Sequence, residues 1–376
     1  MPPDDAPPPR RAGSATRATD ASRTVPSWVV GTWLVVAVFA AVTLVRSAAV
    51  GISLKDPHGE ILRSRVAISA ALMVFLAVGD AVVRARRDAA RTRTVLRLLR
   101  ARWTARRLLL VVSGLLAYHT VYFCYHNLKS WDVLNRPRDA DLLRWDRWLF
   151  LGHSPAVLLH TLLGEHLAAH LLVAVYESFS WLVSISVVAA VVLQPRVRDG
   201  YVFLVSAIWI WILGVASYYA IPSLGPFESA PQEFAGLPHS IVQDTQALYL
   251  AQRAHLLAHP QAHDAFAQVS AFASLHVGVT TVIVLMAHHY RLTRTTRALT
   301  AYLALTVVAT IYLGWHYALD DVAGLLLGAT AVTLGRWTVL GRSPQPPRRP
   351  ARSRRAEDDP HADGSASGHR RPGQPV

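Results

Sequence analysis

In the run Tyr312-Leu-Gly-Trp-His316-Tyr-Ala-Leu-Asp320-Asp321-Val-Ala-Gly324, a histidine and an aspartate stand four residues apart where an apolar segment begins. On a helix that spacing puts both side chains on one face. The carboxylate can then accept a hydrogen bond from one ring nitrogen and leave the other as a nucleophile or base, the logic of a catalytic triad. The same residues also read as a plain helix start, with Asp320 or Asp321 as N-cap and His316 at headgroup level. Upstream, Ser270-Ala-Phe-Ala-Ser274-Leu-His276-Val-Gly278 opens another apolar segment. A serine and a histidine beside a helix N-terminus offer a hydroxyl, free backbone N–H groups and a positive dipole end, which together suit a phosphate oxygen. A lone histidine among 17 means little by itself. The third cluster is Lys129-Ser-Trp-Asp-Val-Leu-Asn135-Arg136-Pro137. Lysine occurs only as Lys55 and Lys129, so composition does not account for Lys129. A lysine and an arginine can clamp a phosphate, the arginine bidentately. The alternative is a solvated loop in which Asp132, Arg138, Asp139 and Asp141 balance one another.

These residues need a scaffold, and the composition defines it. Of 376 residues 52% are hydrophobic and 16% charged, a balance that excludes an ordinary soluble domain. Eight apolar runs of roughly bilayer-spanning length lie near 27–50, 65–83, 108–126, 167–193, 201–221, 268–289, 298–315 and 320–340. The fold expected is all-α, a polytopic membrane helix bundle of about eight transmembrane helices. Residues 1–26 and 341–376 are too polar to bury a core and read as disordered tails, the first too long and polar to be a signal peptide. Between them, 27–107 holds two helices and a basic segment, and 108–340 holds the candidate chemistry.

The net charge of +14 reflects arginine-rich links rather than a nucleic-acid surface. Residues 84–107 carry ten arginines against one acid, Asp88, and further arginines fill 194–200, 290–297 and the C-terminal tail. The positive-inside bias puts these links and both termini in the cytoplasm of a cell-membrane protein. The 84–107 stretch reads as an amphipathic helix on anionic headgroups. All three polar clusters then fall on the extracytoplasmic side, together with the long segment 222–267, a lid or acceptor-binding element. Asp80 beside Arg84 reads as a structural pair. Glu177, next to Tyr176, falls inside the fourth span, where a carboxylate is costly and either contacts a headgroup or pairs with a neighbouring helix. The single Cys124 excludes an internal disulfide and any cysteine-based metal cluster.

In order along the chain, the clusters resemble the three motifs of the type 2 phosphatidic acid phosphatase superfamily: Lys-x6-Arg-Pro, Pro-Ser-Gly-His and Ser-Arg-x5-His-x3-Asp. The first is complete as Lys129, Arg136 and Pro137. The second survives as Ala273-Ser274-Leu275-His276. The third keeps His316 and Asp320 but has Ala309-Thr310 in place of Ser-Arg. The Ser-Leu-His and Gly-x-His-Tyr-x3-Asp forms, with Tyr218-Tyr219-Ala-Ile-Pro222-Ser-Leu-Gly-Pro226 and Leu149-Phe-Leu-Gly152-His-Ser-Pro155, resemble the branch of inositol phosphorylceramide (Aur-type) synthases. The resemblance covers roughly 108–340 and implies a six-helix phosphatase-like core. It implies a metal-free, cofactor-free displacement on a lipid phosphate, in which His316, oriented by Asp320, attacks phosphorus and His276 serves as acid and then base. Lys129, Arg136 and Ser274 would hold the phosphoryl oxygens, and Thr310 can supply only a hydroxyl where the arginine is missing. Arg138 and Arg144 are candidates to fill that gap. The partners expected are a lipid phosphate and membrane lipids, not nucleic acid. The competing classes are an anion transporter, against which no inverted or internal repeat is visible, and a scaffold, which leaves His276, His316 and Asp320 without a role.

Overall fold

A computed structural model describes residues 25–88 and 90–341, and among them the chain is helical without strands. The expected tails lie outside the described residues apart from Val25, Pro26 and Gly341. Six helices are long and apolar enough to cross a membrane: α1 (Ser27–Val50), Glu60–Ala85, in which α2 (Arg65–Ala85) continues a π-helical turn, α4 (Ala105–Asp132), α7 (Leu167–Leu193), α8 (Val197–Ala220) and α12 (Ala318–Leu340). A 24-residue helix such as α1 is about 36 Å long, more than the hydrocarbon layer requires. Two further helices lie among them, α10 (Leu275–His289) and α11 (Thr293–Tyr312). At 15 residues α10 is short for a span, and the first turn of α11 is polar.

The bundle is built around α8, which is buried along most of its length and packs against α4, α7, α10 and α12. At the edge, α2 exposes Val74, Phe75 and Val83, the apolar face expected of a helix bathed in lipid. The expected helices at 27–50 and 167–193 match in both limits. Others shift for local reasons. The third continues to Asp132, so Lys129 sits in its last turn and not in a loop beyond it. The sixth begins at Leu275, because Ser274 is its N-cap, accepting from the Val277 N–H at 3.4 Å. In the basic 84–107 stretch, α3 (Arg91–Arg102) forms and packs on α2. Asp80 does pair with Arg84, at 2.9 Å.

Two glycines bring the second and third motifs together. A Cβ on Gly324 would strike the carbonyl oxygen of Ser274, and one on Gly328 would lie 2.7 Å from that of Gly278. With no side chains in the way, α12 lies directly against α10, the small-residue packing familiar from membrane helices. The Ser274 N–H then donates to the Asp320 carbonyl across the contact, at 3.0 Å.

Candidate active site

At one end of the bundle, α4, α7, α8 and α10 surround a chamber of about 340 Å³, into which Lys129, Tyr176, Glu177, His276 and His316 all face. The volume is at the lower end for a small-molecule site. The rings of His276 and His316 lie 6.1 Å apart, centroid to centroid, so one phosphoryl group can touch both. His316 Nδ1 lies 3.3 Å from Asp320 Oδ2. The carboxylate partner assigns the ring proton to Nδ1 and leaves the Nε2 lone pair free. The same oxygen accepts the Tyr317 N–H at 3.0 Å, so Asp320 both caps α12 and orients His316. Burial draws the His316 imidazole down to about 4, which keeps it neutral and nucleophilic near pH 7.

His276 is held by aromatic rings. Tyr176 stacks on it at 4.3 Å and Phe179 lies 4.2 Å away, while Tyr176 also stacks on Trp315 at 5.6 Å. Lys129 Nζ lies 5.6 Å from the centre of the Tyr218 ring. Glu177 opens into the chamber and pairs with no cation among the described residues. The segment 222–267 contributes α9 (Ile241–Ala258), which lays Thr245 and Tyr249 over the chamber and is anchored by Gln246 Nε2 donating to the Leu313 carbonyl at 2.9 Å.

Three expected phosphate or substrate contacts do not reach this space. Arg136 is exposed on the turn after α4 and does not line the chamber, because that helix runs on to Asp132 and carries the turn outward. Ser274 is fully buried as the α10 cap. Thr310 is buried behind His316, where its hydroxyl donates to Asp321 Oδ2 at 2.9 Å. Arg138 and Arg144, the candidates to replace the missing arginine, instead pair with Asp141 on the surface.

Other residues had no signal in the sequence. Asp139 and Asp146 sit on α5 (Asp139–Leu149), and of the two only Asp139 falls in the stretch whose alternative reading is a solvated loop. Asp139 accepts the N–H groups of Leu224 and Gly225, at 3.0 and 2.8 Å, and the Tyr317 hydroxyl at 2.9 Å. Asp146 accepts the N–H groups of Ala318 and Leu319, at 2.8 and 3.2 Å, and so clamps the turn that carries His316. Burial raises the Asp146 carboxyl, and those two N–H bonds oppose the shift. A third histidine, His126, lines the chamber one helical turn before Lys129, with its Nδ1 buried and unpartnered. Their shared face of α4 is the only clue to His126 in the sequence, and such spacing is common.

Fold and site together define a helical membrane protein with a histidine- and lysine-lined chamber at one end. The chain belongs to the PAP2 superfamily, whose family model matches residues 140–334, more than half of its length. Members of that superfamily are phosphoesterases, which supports an enzyme. The match takes in the second and third motifs and begins after Lys129, Arg136 and Pro137. Neither the curated proteins nor the solved structures gave a match to this chain.

Proposed function

We propose that this protein is an integral membrane lipid phosphatase or phosphotransferase that works at the outer membrane face through a phosphohistidine on His316. The observation that carries the reading is the pair of imidazoles, 6.1 Å apart, opening on one chamber with Lys129. In the first step His316 Nε2 attacks phosphorus. The bond from phosphorus to the leaving oxygen breaks, and His276, which burial keeps neutral until the substrate's phosphate monoanion brings it a proton, gives that proton to the oxygen. Asp320 accepts the Nδ1–H throughout and stabilises the cationic phosphohistidine. In the second step neutral His276 takes the proton of a water or alcohol, whose oxygen attacks phosphorus and releases His316. Lys129 offsets charge on the phosphoryl oxygens, and the reaction draws on no metal. The arginine-rich links at the opposite end of the bundle favour an extracytoplasmic site.

A second reading, inositol-phosphate transfer of the phosphorylceramide synthase type, draws on the Thr245, Gln268 and Ser270 side chains around the chamber, which suit a polyol acceptor. An anion or lipid transporter would need neither the carboxylate behind His316 nor a second imidazole before it. The purified protein is expected to turn over phosphatidic acid, a polyprenyl diphosphate or phosphatidylinositol in detergent with EDTA present, to be inhibited by vanadate, and to transfer rather than hydrolyse when inositol is the acceptor. Radiolabel from the phosphate should appear on His316 after an alkaline quench. Strict dependence on a divalent cation, or label retained in His316→Ala, would refute the mechanism.

A further inference from the structure

Beside the chamber lies a narrow slot of about 50 Å³ between α2, α4, α7 and α8, reaching Val183 and Val187. Arg65 and Tyr122 line both spaces, so Arg65 stands between chamber and slot. It belongs to α2, outside the segment matched to the family.

Three observations bear on why it is there. First, Arg65 follows directly on the π-helical turn Glu60–Ser64. Such a turn is rare and is frequent at functional sites. It is pinned here by Asp56, which accepts the Ile61 and Leu62 N–H groups at 3.2 and 3.1 Å. Second, Arg65 is half-buried, and among the described residues no carboxylate pairs with it and no hydrogen bond engages its side chain, so a permanently charged group with five donors is left free to meet a ligand. Third, Tyr122, His126 and Lys129 fall on one face of α4, joining the slot to the histidine pair over about 10 Å of helix. The two cations of the chamber, Lys129 and Arg65, therefore stand toward opposite ends of that stripe.

We infer that Arg65 forms a second anion subsite, which binds an anionic group of the substrate other than the phosphoryl group attacked by His316. The inference rests on the phosphoryl-transfer reading for its substrate. A lipid diphosphate meets the requirement, with its terminal phosphate beside Lys129 and the histidines and its inner phosphate on Arg65. A monophosphate of the same alcohol fills only the first position.

Kinetics on a polyprenyl diphosphate and the matching monophosphate, in detergent, separate the alternatives. Arg65→Gln should raise KM for the diphosphate about tenfold, the loss of one charged hydrogen-bonded contact, with kcat changed less than about threefold. KM for the monophosphate should move less than about threefold, and Arg65→Lys should recover part of the diphosphate affinity. Equal changes on both substrates, or none, overturn the subsite. So does a Glu177→Gln variant with the same diphosphate-specific defect, which would mean that Arg65 serves an internal pair. A binding measurement stands apart from turnover: inorganic diphosphate should raise the melting temperature more than orthophosphate does, and Arg65→Gln should remove the excess. If the wild type turns over neither lipid yet shows that excess, the transfer reading falls and the subsite stands. An excess that survives in Arg65→Gln overturns the subsite.

Discussion

The two ends of the bundle carry similar charged side chains and use them in opposite ways. At the arginine-rich end, cations complete the helices. Arg102 donates to the carbonyls of Val192 and Leu193 at 3.0 and 2.7 Å, Arg107 to those of Gln194 and Pro195 at 2.7 and 2.9 Å, and Arg198 to that of Val339 at 2.9 Å. Each guanidinium meets backbone carbonyls at or just past a helix C-terminus, where the dipole favours positive charge. At the histidine end, the acids do the equivalent work. Asp139, Asp146 and Asp320 accept the N–H groups of turns and of the start of α12. The cations there, Lys129 and Arg65, are left facing a chamber, with a buried His126 nitrogen and the Trp315 indole N–H unpartnered beside them. Trp103 Nε1 and Arg107 Nε are buried without partners at the arginine end too, but they open on no chamber, whereas those of His126 and Trp315 belong to residues that line one. Polar groups that face an enclosed space together mark where a ligand belongs, and only the histidine end has that arrangement.

Removing a group from the histidine end should therefore cost activity, and removing one from the arginine end should cost stability alone. The largest effect expected is that of His316→Ala, a loss of turnover of at least about a thousandfold with the melting temperature little changed, read by phosphate release. Asp320→Asn should lower kcat on the order of a hundredfold, because the amide cannot stabilise a cationic imidazole. Near-normal rates in either variant would erase the distinction between the ends. Gly324→Val should lower turnover and stability together, since a side chain there meets the Ser274 carbonyl and forces α10 and α12 apart. A smaller change in the same direction is expected of Asp146→Ala, which leaves the Ala318 and Leu319 N–H groups without acceptors, at about 1–3 kcal/mol measured by denaturation. Arg102→Ala with Arg107→Ala should cost about 1–2 kcal/mol and leave kcat within about twofold.

Acid sharpens the contrast in another way. The His316 imidazole is held down at about 4 by burial, against an ordinary value near 6.5. Between those values the unfolded chain binds a proton that the folded chain does not, so stability falls as pH drops from about 6.5 toward 4. His316→Gln should make that part of the thermal-stability profile less steep. An unchanged slope would show that His316 does not supply it.

Much of this arrangement was legible in the chain itself. Helix positions follow from apolar runs, and the pairing of His316 with Asp320 follows from a four-residue spacing, because both are local properties of a 3.6-residue period. Ser274 as a helix start and Asp80 with Arg84 are local in the same sense. The order of the three motifs was enough to indicate the superfamily. Arg136 shows where motif reading stops. It matches the pattern residue for residue, but its direction depends on α4 running six residues further than the apolar run suggests, and the turn takes it to the surface.

What only the tertiary structure decided is which distant residues meet. Contact between α10 and α12 depends on glycines whose effect is felt only against another helix, and it is this contact that sets His276 beside His316. Asp139 and Asp146 look like surface charges in a polar stretch until the turns they cap are folded over them. Arg65 carries no motif and gains its meaning from a chamber walled by four other helices. Spacing along a helix is fixed by backbone geometry and can be read from the sequence, whereas convergence between helices is fixed by packing and cannot.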